Sequence, residues 1–214
     1  FWGISPAGSG KGHNTLGQIL MTVRSLLMDA SPVYYAGIGS RSTPNDVMAQ
    51  MQAFGEHAAK RGWILRSGAA VGADTAFETG CDRAGGRKEI YIPRQGYKGH
   101  PSPHYNSHPD AIKLASSIHP MWSRLSPSAK GLVTRNMHQI LGPTLNTPVR
   151  FVLCWTPDGC ESIDQYSIRT GGTGTAISLA DVNNIPVFNL KHLGRLDQAY
   201  EMIERGMGNG QGYQ

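Results

Sequence analysis

Charge is scarce in this sequence: Asp, Glu, Lys and Arg together make up 16% of 214 residues, against 39% hydrophobic. That balance excludes a disordered polyampholyte and fits a chain able to bury a core. Long hydrophobic runs are missing. None approaches the roughly 18 residues that a membrane-crossing helix needs, so no membrane partner is expected. The opening FWGISPAGSGKGHNTLGQIL has neither the charged start nor the long apolar stretch of a signal peptide, and the expectation is a cytoplasmic protein. Cysteine is sparse and odd in number, Cys81, Cys154 and Cys160, with no C-x-x-C pair, which reads as reduced structural thiols. No H-E-x-x-H and no Ser/His/Asp nucleophile motif occurs. A complete P-loop is absent too. The GSGKG fragment at 8–12 would need its first glycine where Ser5 stands, and Gly12 occupies the Ser/Thr position.

What is present is an alternation of apolar runs and helix-patterned segments after a loosely patterned stretch, residues 1–30, read as an appendage to a domain over 31–214. VYYAGIG from Val33, WILRSG from Trp63, KEIYIP from Lys88, RFVLCWT from Arg150 and PVFNL from Pro186 read as strands. Helical spacing covers Asn45 to Lys60, about Ala73 to Arg83, Ser126 to Leu141, a segment opened by the Gly-rich loop at 171–174, and Leu193 to Glu204. Asn45 or Thr43 is placed to cap the first of these helices, with Pro44 near its first turn. Between the third strand and the helix at 126 lies a long polar passage, read as a lid or rim. Continuous apolar strands alternating with helices predict an α/β fold, a doubly wound, mostly parallel sheet of about five strands with helices on both faces. Such sheets take ligands at the carboxyl ends of their strands, and every candidate loop of the 31–214 domain follows a predicted strand.

Three of those loops carry candidate chemistry. In GIGSRSTP, Gly37 and Gly39 admit close backbone approach, while Ser40 and Arg41 offer a hydroxyl and a forked cation to phosphate. It is not a dinucleotide fingerprint, because Ser42 stands where G-x-G-x-x-G needs glycine. In RSGAAVGADTAFE, the small residues Ser67, Gly68 and Gly72 are further candidates for holding the phosphate-bearing ligand. Asp74 and Glu78 share a helix face, where Asp74 can cap the helix and either carboxylate can serve ribose hydroxyls or acid/base catalysis. In TGGTGTAI, Gly171, Gly172 and Gly174 let amides face an anion at a helix start, with Thr173 and Thr175 adding hydroxyls. Arg135 and Asn136 are placed to point back into the same cleft. His100, His104 and His108 are spaced four apart, but Pro101, Pro103 and Pro109 interrupt any continuous helix, so no metal is expected. The net charge of +5 and pI near 9.2 favour an anionic partner, although no Lys/Arg run concentrates that charge.

In that order, GIGSR after the first strand, LRSGAAVGAD after the second, Arg135-Asn136 and GGTGTA after the fourth resemble the DNA-processing protein A family. The Rossmann-like group around it includes the Lonely Guy nucleotide hydrolases. The likeness spans roughly Val33 to Leu190, and CWTPDG, TGGTGTA and IPVFNL are similar to phage-type members. The resemblance implies a Rossmann-like domain binding a nucleotide or single-stranded DNA without a cofactor, a homo-oligomer, and a basic pocket of Arg41, Arg135 and Asn136. The flanking domains of full-length members are not evident. Lonely Guy enzymes carry P-G-G-x-G-T-x-x-E, with the glutamate assisting ribose chemistry. Here Thr170 replaces the proline and Ser178 the glutamate, a departure that counts against N-glycoside hydrolysis unless Asp74 or Glu78 substitutes. A nucleotide-signal sensor is the remaining alternative.

Overall fold

The structure is a computed structural model that describes residues 31–208; the appendage expected at 1–30, with its GSGKG segment, lies outside them. Five short strands, β1 (Tyr34–Gly37), β2 (Ile64–Ser67), β3 (Lys88–Ile90), β4 (Val152–Cys154) and β5 (Val187–Asn189), form one sheet in the order β3-β2-β1-β4-β5. All neighbours run parallel, with Tyr34 opposite Ile64 and Ala36 opposite Val152. This is the Rossmann-like α/β fold. Each strand is shorter than its apolar run, because the flanking residues leave the ladder to enter loops.

The helices are α1 (Asn45–Lys60), α2 (Ala73–Arg83), α3 (Pro109–Ile118), α4 (Pro127–Leu141), α5 (Gly174–Val182) and α6 (Arg195–Gly208). Strand side chains alternate between the two faces of a sheet, and the core divides accordingly. Tyr35, Leu65, Phe151 and Leu153 pack with Met51 and Phe54 of α1, Phe77 of α2 and Ile203 of α6. Ala36, Val152 and Cys154 pack on the other face with Ala111 of α3, Met137 and Ile140 of α4, and Ile177 of α5. On the first face α1 and α2 meet almost backbone to backbone. A Cβ added at Gly80 would lie 2.0 Å from the Gln52 carbonyl oxygen.

Two local expectations are corrected. No side chain caps α1: Pro44 occupies the cap position, and the Thr43 hydroxyl instead donates to the Ser40 carbonyl at 2.7 Å. The polar passage also contains a helix, α3, whose start is capped by His108 Nδ1 accepting from Asp110 N at 3.2 Å. Its apolar spacing, Ala111, Leu114, Ala115 and Ile118, is hidden behind the prolines that precede it. Pro109 does not break this helix because it occupies the first turn, where no intrahelical N–H is required.

Helix α4 is seated by His138, which is 2% exposed and stacks on Tyr91 with ring centroids 5.6 Å apart. Its Nδ1 donates to the Gly142 carbonyl at 2.9 Å and its Nε2 accepts from the backbone N–H of His108 at 3.1 Å. Only a neutral imidazole can donate at one nitrogen and accept at the other. Burial, with Arg66, His104 and His108 nearby, accordingly holds the His138 pKa below its ordinary 6.5. A histidine with a depressed folded-state pKa contributes stability that is present above its unfolded value and lost as pH falls below it. Urea unfolding at pH 7 and pH 5 should therefore show lower stability at pH 5, and His138→Gln should flatten that difference.

Candidate functional site

From β1 the chain runs outward to β2 and β3, then returns across the sheet to β4 and β5. The loops leaving β1 and β4 diverge at this reversal and open a crevice at their carboxyl ends. A cavity of about 350 Å³ occupies it. Of the residues expected to form a site, Gly39, Ser40, Arg41, Asp74, Arg135, Asn136, Gly171, Gly172 and Thr173 line this cavity.

Asp74 sits at its base, 3% exposed. Its Oδ1 accepts from Gly39 N at 3.2 Å and its Oδ2 from Ala70 N at 3.3 Å, so one carboxylate joins the loops after β1 and β2. Arg135 Nη1 lies 3.5 Å from Oδ2, which brings α4 into the same junction. Burial pushes the Asp74 carboxyl pKa up; the Arg135 charge and the two amides oppose that shift in part. Burial likewise lowers the Arg135 guanidinium, with Asp74 opposing. Both costs are kept tolerable only because the charges face each other. The Arg135 Nε, also buried, has no hydrogen-bond partner among the described residues.

The glycines divide by task. A Cβ at Gly37 would meet the Phe77 ring at 2.6 Å, so that position serves core packing. At Gly39 it would lie 2.8 Å from Ala73 Cβ and 2.9 Å from the Trp155 carbonyl oxygen. Gly72, with φ +95°, passes so close to the first loop that a Cβ would lie 2.6 Å from the Ser40 carbonyl oxygen. Gly68 makes room for the cation: its Cβ would fall 1.0 Å from Arg135 Nη1. Gly171 and Gly172 have open space where a side chain would project, and no side chain caps this turn or α5 behind it. Gly171, Gly172 and Thr173 line the cavity at this helix start, and among the described residues no side chain accepts from their amides.

Asn136 fixes that turn by donating from Nδ2 to the Gly172 carbonyl at 2.8 Å and to Thr175 Oγ1 at 3.3 Å. Thr175 is buried and returns a hydrogen bond to the Gly172 carbonyl at 3.2 Å. Gly174 packs under Tyr166, where a Cβ would come within 2.2 Å of the ring. Ser67 is buried and donates to the Gly37 carbonyl at 2.6 Å. Ser67, Gly68, Gly72, Gly174 and Thr175 therefore support the cavity from behind and do not line it. Glu78 stands apart. It pairs with Lys88 Nζ at 2.8 Å and His100 Nε2 at 2.9 Å, outside the cavity.

The three spaced histidines have separate tasks: His100 pairs with Glu78, the His104 ring lies against Tyr91, and His108 caps α3. Among the described residues no group of three or more His, Cys, Asp or Glu is placed to hold a metal ion.

Sequence reasoning missed Tyr97, Lys98, Gln139, Arg169 and Thr170, which also line the cavity. Gln139 was readable as i+4 from Arg135 on one helix face. With its amide oriented to satisfy both neighbours, it accepts from Arg135 Nη1 at 2.7 Å and from Gly68 N at 3.1 Å. Thr170 donates to Asp158 Oδ2 at 2.6 Å, fixing where the Gly-rich turn begins. Burial raises the Asp158 carboxyl pKa, but the Thr170, Ser167 and Thr156 hydroxyls outweigh it, and the net shift is downward. Tyr97 and Lys98 come from the polar passage, between Gly96 and Gly99, and form part of the rim. Arg41, Lys98 and Arg169 are exposed at the cavity and make no ion pair among the described residues. With Arg135 they face a single lining carboxylate, Asp74, so the cavity is electropositive.

No protein-family model matches the chain, and no curated protein does. Among solved structures it is similar to the Moco carrier protein of Chlamydomonas rheinhardtii, at 14% identity over 83% of this chain and 86% of that one, with a TM-score of 0.43. A second structure, of the molybdenum cofactor carrier protein MCP from Chlamydomonas reinhardtii, matches at 14% identity over 84% and 100%, with a TM-score of 0.41.

The contrast between two glycines tests the junction. Gly68→Ala displaces the guanidinium and leaves Asp74 buried without its partner, which should cost about 3 kcal/mol or more. Gly172→Ala enters open space and should change stability by no more than about 0.5 kcal/mol. Urea unfolding of the two variants reads both.

Proposed function

We propose that this domain binds a small phosphate-bearing ligand, a nucleotide, with its phosphate held between the Gly171–Thr173 turn and the Arg135 guanidinium. One observation carries the reading: four cations, Arg41, Lys98, Arg135 and Arg169, line a cavity whose single lining carboxylate, Asp74, is already paired with Arg135. A phosphate supplies the anion that this lining lacks. The adjoining helix start adds open amides and a favourable dipole. Ser40 and Arg41 approach from the loop after β1.

The size of the cavity favours a single nucleotide over a strand. About 350 Å³ lies at the lower end of the range for small-molecule sites, roughly 300–1,000 Å³. Strand binders stack successive bases on several aromatic side chains, whereas Tyr97 is the one aromatic residue lining this cavity. Binding is also favoured over N-glycoside hydrolysis. Asp74 is committed to two amides and Arg135, and Glu78 faces elsewhere. Ser178, at the glutamate position of the Lonely Guy pattern, is fully buried in α5 and does not line the cavity. On this reading the resemblance to DNA-processing protein A is confined to the phosphate-holding loops, with single-stranded DNA as the competing ligand.

Calorimetric titration with nucleoside 5′-monophosphates and with a short single-stranded oligodeoxynucleotide, each at two salt concentrations, separates the ligands. A 5′-monophosphate should bind one to one with a shallow salt dependence, and Gly172→Val should lower its affinity at least about tenfold by filling the phosphate position. Binding of the oligonucleotide alone, with a steep salt slope, or unaltered affinity in Gly172→Val, would overturn the reading.

A further inference from the structure

The distribution of cations around the cavity says more about its ligand than their number does. Lys98 follows β3, whereas Arg169 and the Gly171–Thr173 turn follow β4. In the sheet β3 and β4 are separated by β2 and β1. At about 4.8 Å per strand, three spacings put the roots of these two loops about 14 Å apart. Both nevertheless line one cavity, with buried Arg135 contributing from α4.

The Lys98 end is built and not merely exposed. Lys98 holds φ 53°, a left-handed backbone that non-glycine residues seldom adopt and that tends to persist where surrounding structure enforces it. The enforcement is visible. His100 is tied to Glu78 at 2.9 Å, Ser102 Oγ donates to the Ile90 carbonyl, and Ile92 N donates to the His104 carbonyl at 2.9 Å. Together these hold the segment that presents Tyr97 and Lys98 to the cavity. Lys98 Nζ stands over the Tyr97 ring, 5.6 Å from its centroid, with the Arg94 guanidinium 5.8 Å from the same centroid, so the ring seats the cation at the cavity. No carboxylate lines the cavity beside Lys98; Asp74, its single lining acid, is engaged at the base.

A monophosphate held at the Gly171–Thr173 turn would leave this cation without an anion. Resting on the phosphate site proposed above, we infer that the cleft takes a nucleotide phosphorylated at both ends, a nucleoside 3′,5′-bisphosphate. One phosphoryl group lies at the Gly171–Thr173 turn with Arg135 and Arg169, the other at Lys98, and Tyr97 lies beside the nucleoside. A 5′-diphosphate, whose two phosphorus atoms are joined through a single bridging oxygen and cluster at one end, is expected to gain less from Lys98.

The test compares 5′-monophosphates, 5′-diphosphates and 3′,5′-bisphosphates of the same nucleosides by calorimetry at fixed ionic strength, in the full chain and in Lys98→Ala. The bisphosphate should bind at least about tenfold more tightly than the monophosphate and more tightly than the diphosphate, the gain expected of one added ionic contact. Lys98→Ala should bring the bisphosphate-to-monophosphate ratio close to one. Equal gains from the diphosphate and the bisphosphate, no gain from either, or an undiminished ratio in Lys98→Ala would overturn the two-ended ligand while leaving the phosphate site standing. No binding by any of the three would overturn both.

Discussion

The buried pair of Asp74 and Arg135 is the constraint on which the site depends. Asp74 by itself would be an isolated carboxylate under the sheet ends, and Arg135 an isolated cation, each too costly to bury. Facing each other across 3.5 Å, they become tolerable and join three separate pieces of chain. The loop after β1 is held through Gly39 N, the loop after β2 through Ala70 N, and α4 through Arg135 itself. Remaining demands of the pair explain much of the local sequence. Gly68 vacates the space that the guanidinium fills, Gln139 accepts from its Nη1, and Gly72 lets the second loop pass against the first. What stays unsatisfied is Arg135 Nε, and it belongs to a residue lining the cavity.

The sheet supplies the place for this junction. Reversal of strand order between β1 and β4 opens the crevice, and core packing on both faces keeps the strand ends from shifting. Asn136, one residue beyond Arg135, carries the same organisation to the Gly171–Thr173 turn by holding the Gly172 carbonyl. The Gly171–Thr173 turn, the buried cation and the acid that balances it are thus connected through consecutive residues of α4. An enzyme acting on ribose needs an available carboxylate or nucleophile. Here the lining acid is already committed to two amides and Arg135, which is what favours the binding reading proposed above.

Much of this was legible in the sequence, for identifiable reasons. Continuous apolar runs such as VYYAG and FVLC reveal strands buried on both faces, and the spacing of Val47, Met51 and Phe54 reveals α1. The order of loops placed Gly39, Asp74, Arg135 and Gly172 near one another. Less legible was which carboxylate faces inward. Asp74 and Glu78 lie four residues apart on one helix, yet the first faces Arg135 and the second Lys88 and His100. That choice is made by partners distant in the chain, which periodicity does not register. Helix α3 escaped because prolines and histidines mask its four-residue apolar spacing. Lys98 and Tyr97 escaped because a Gly-flanked turn carries no pattern of its own and is positioned by His100 and Ser102.

The most direct measurement follows the side-chain Nε–H resonance of Arg135 by proton–nitrogen NMR while a nucleoside 5′-monophosphate is titrated in. A phosphate seated against the guanidinium should shift this signal together with the backbone amides of Gly171 and Gly172, all following one saturation curve. If the nucleotide saturates the protein while these three resonances stay in place, it binds elsewhere, and the cavity is not the phosphate site.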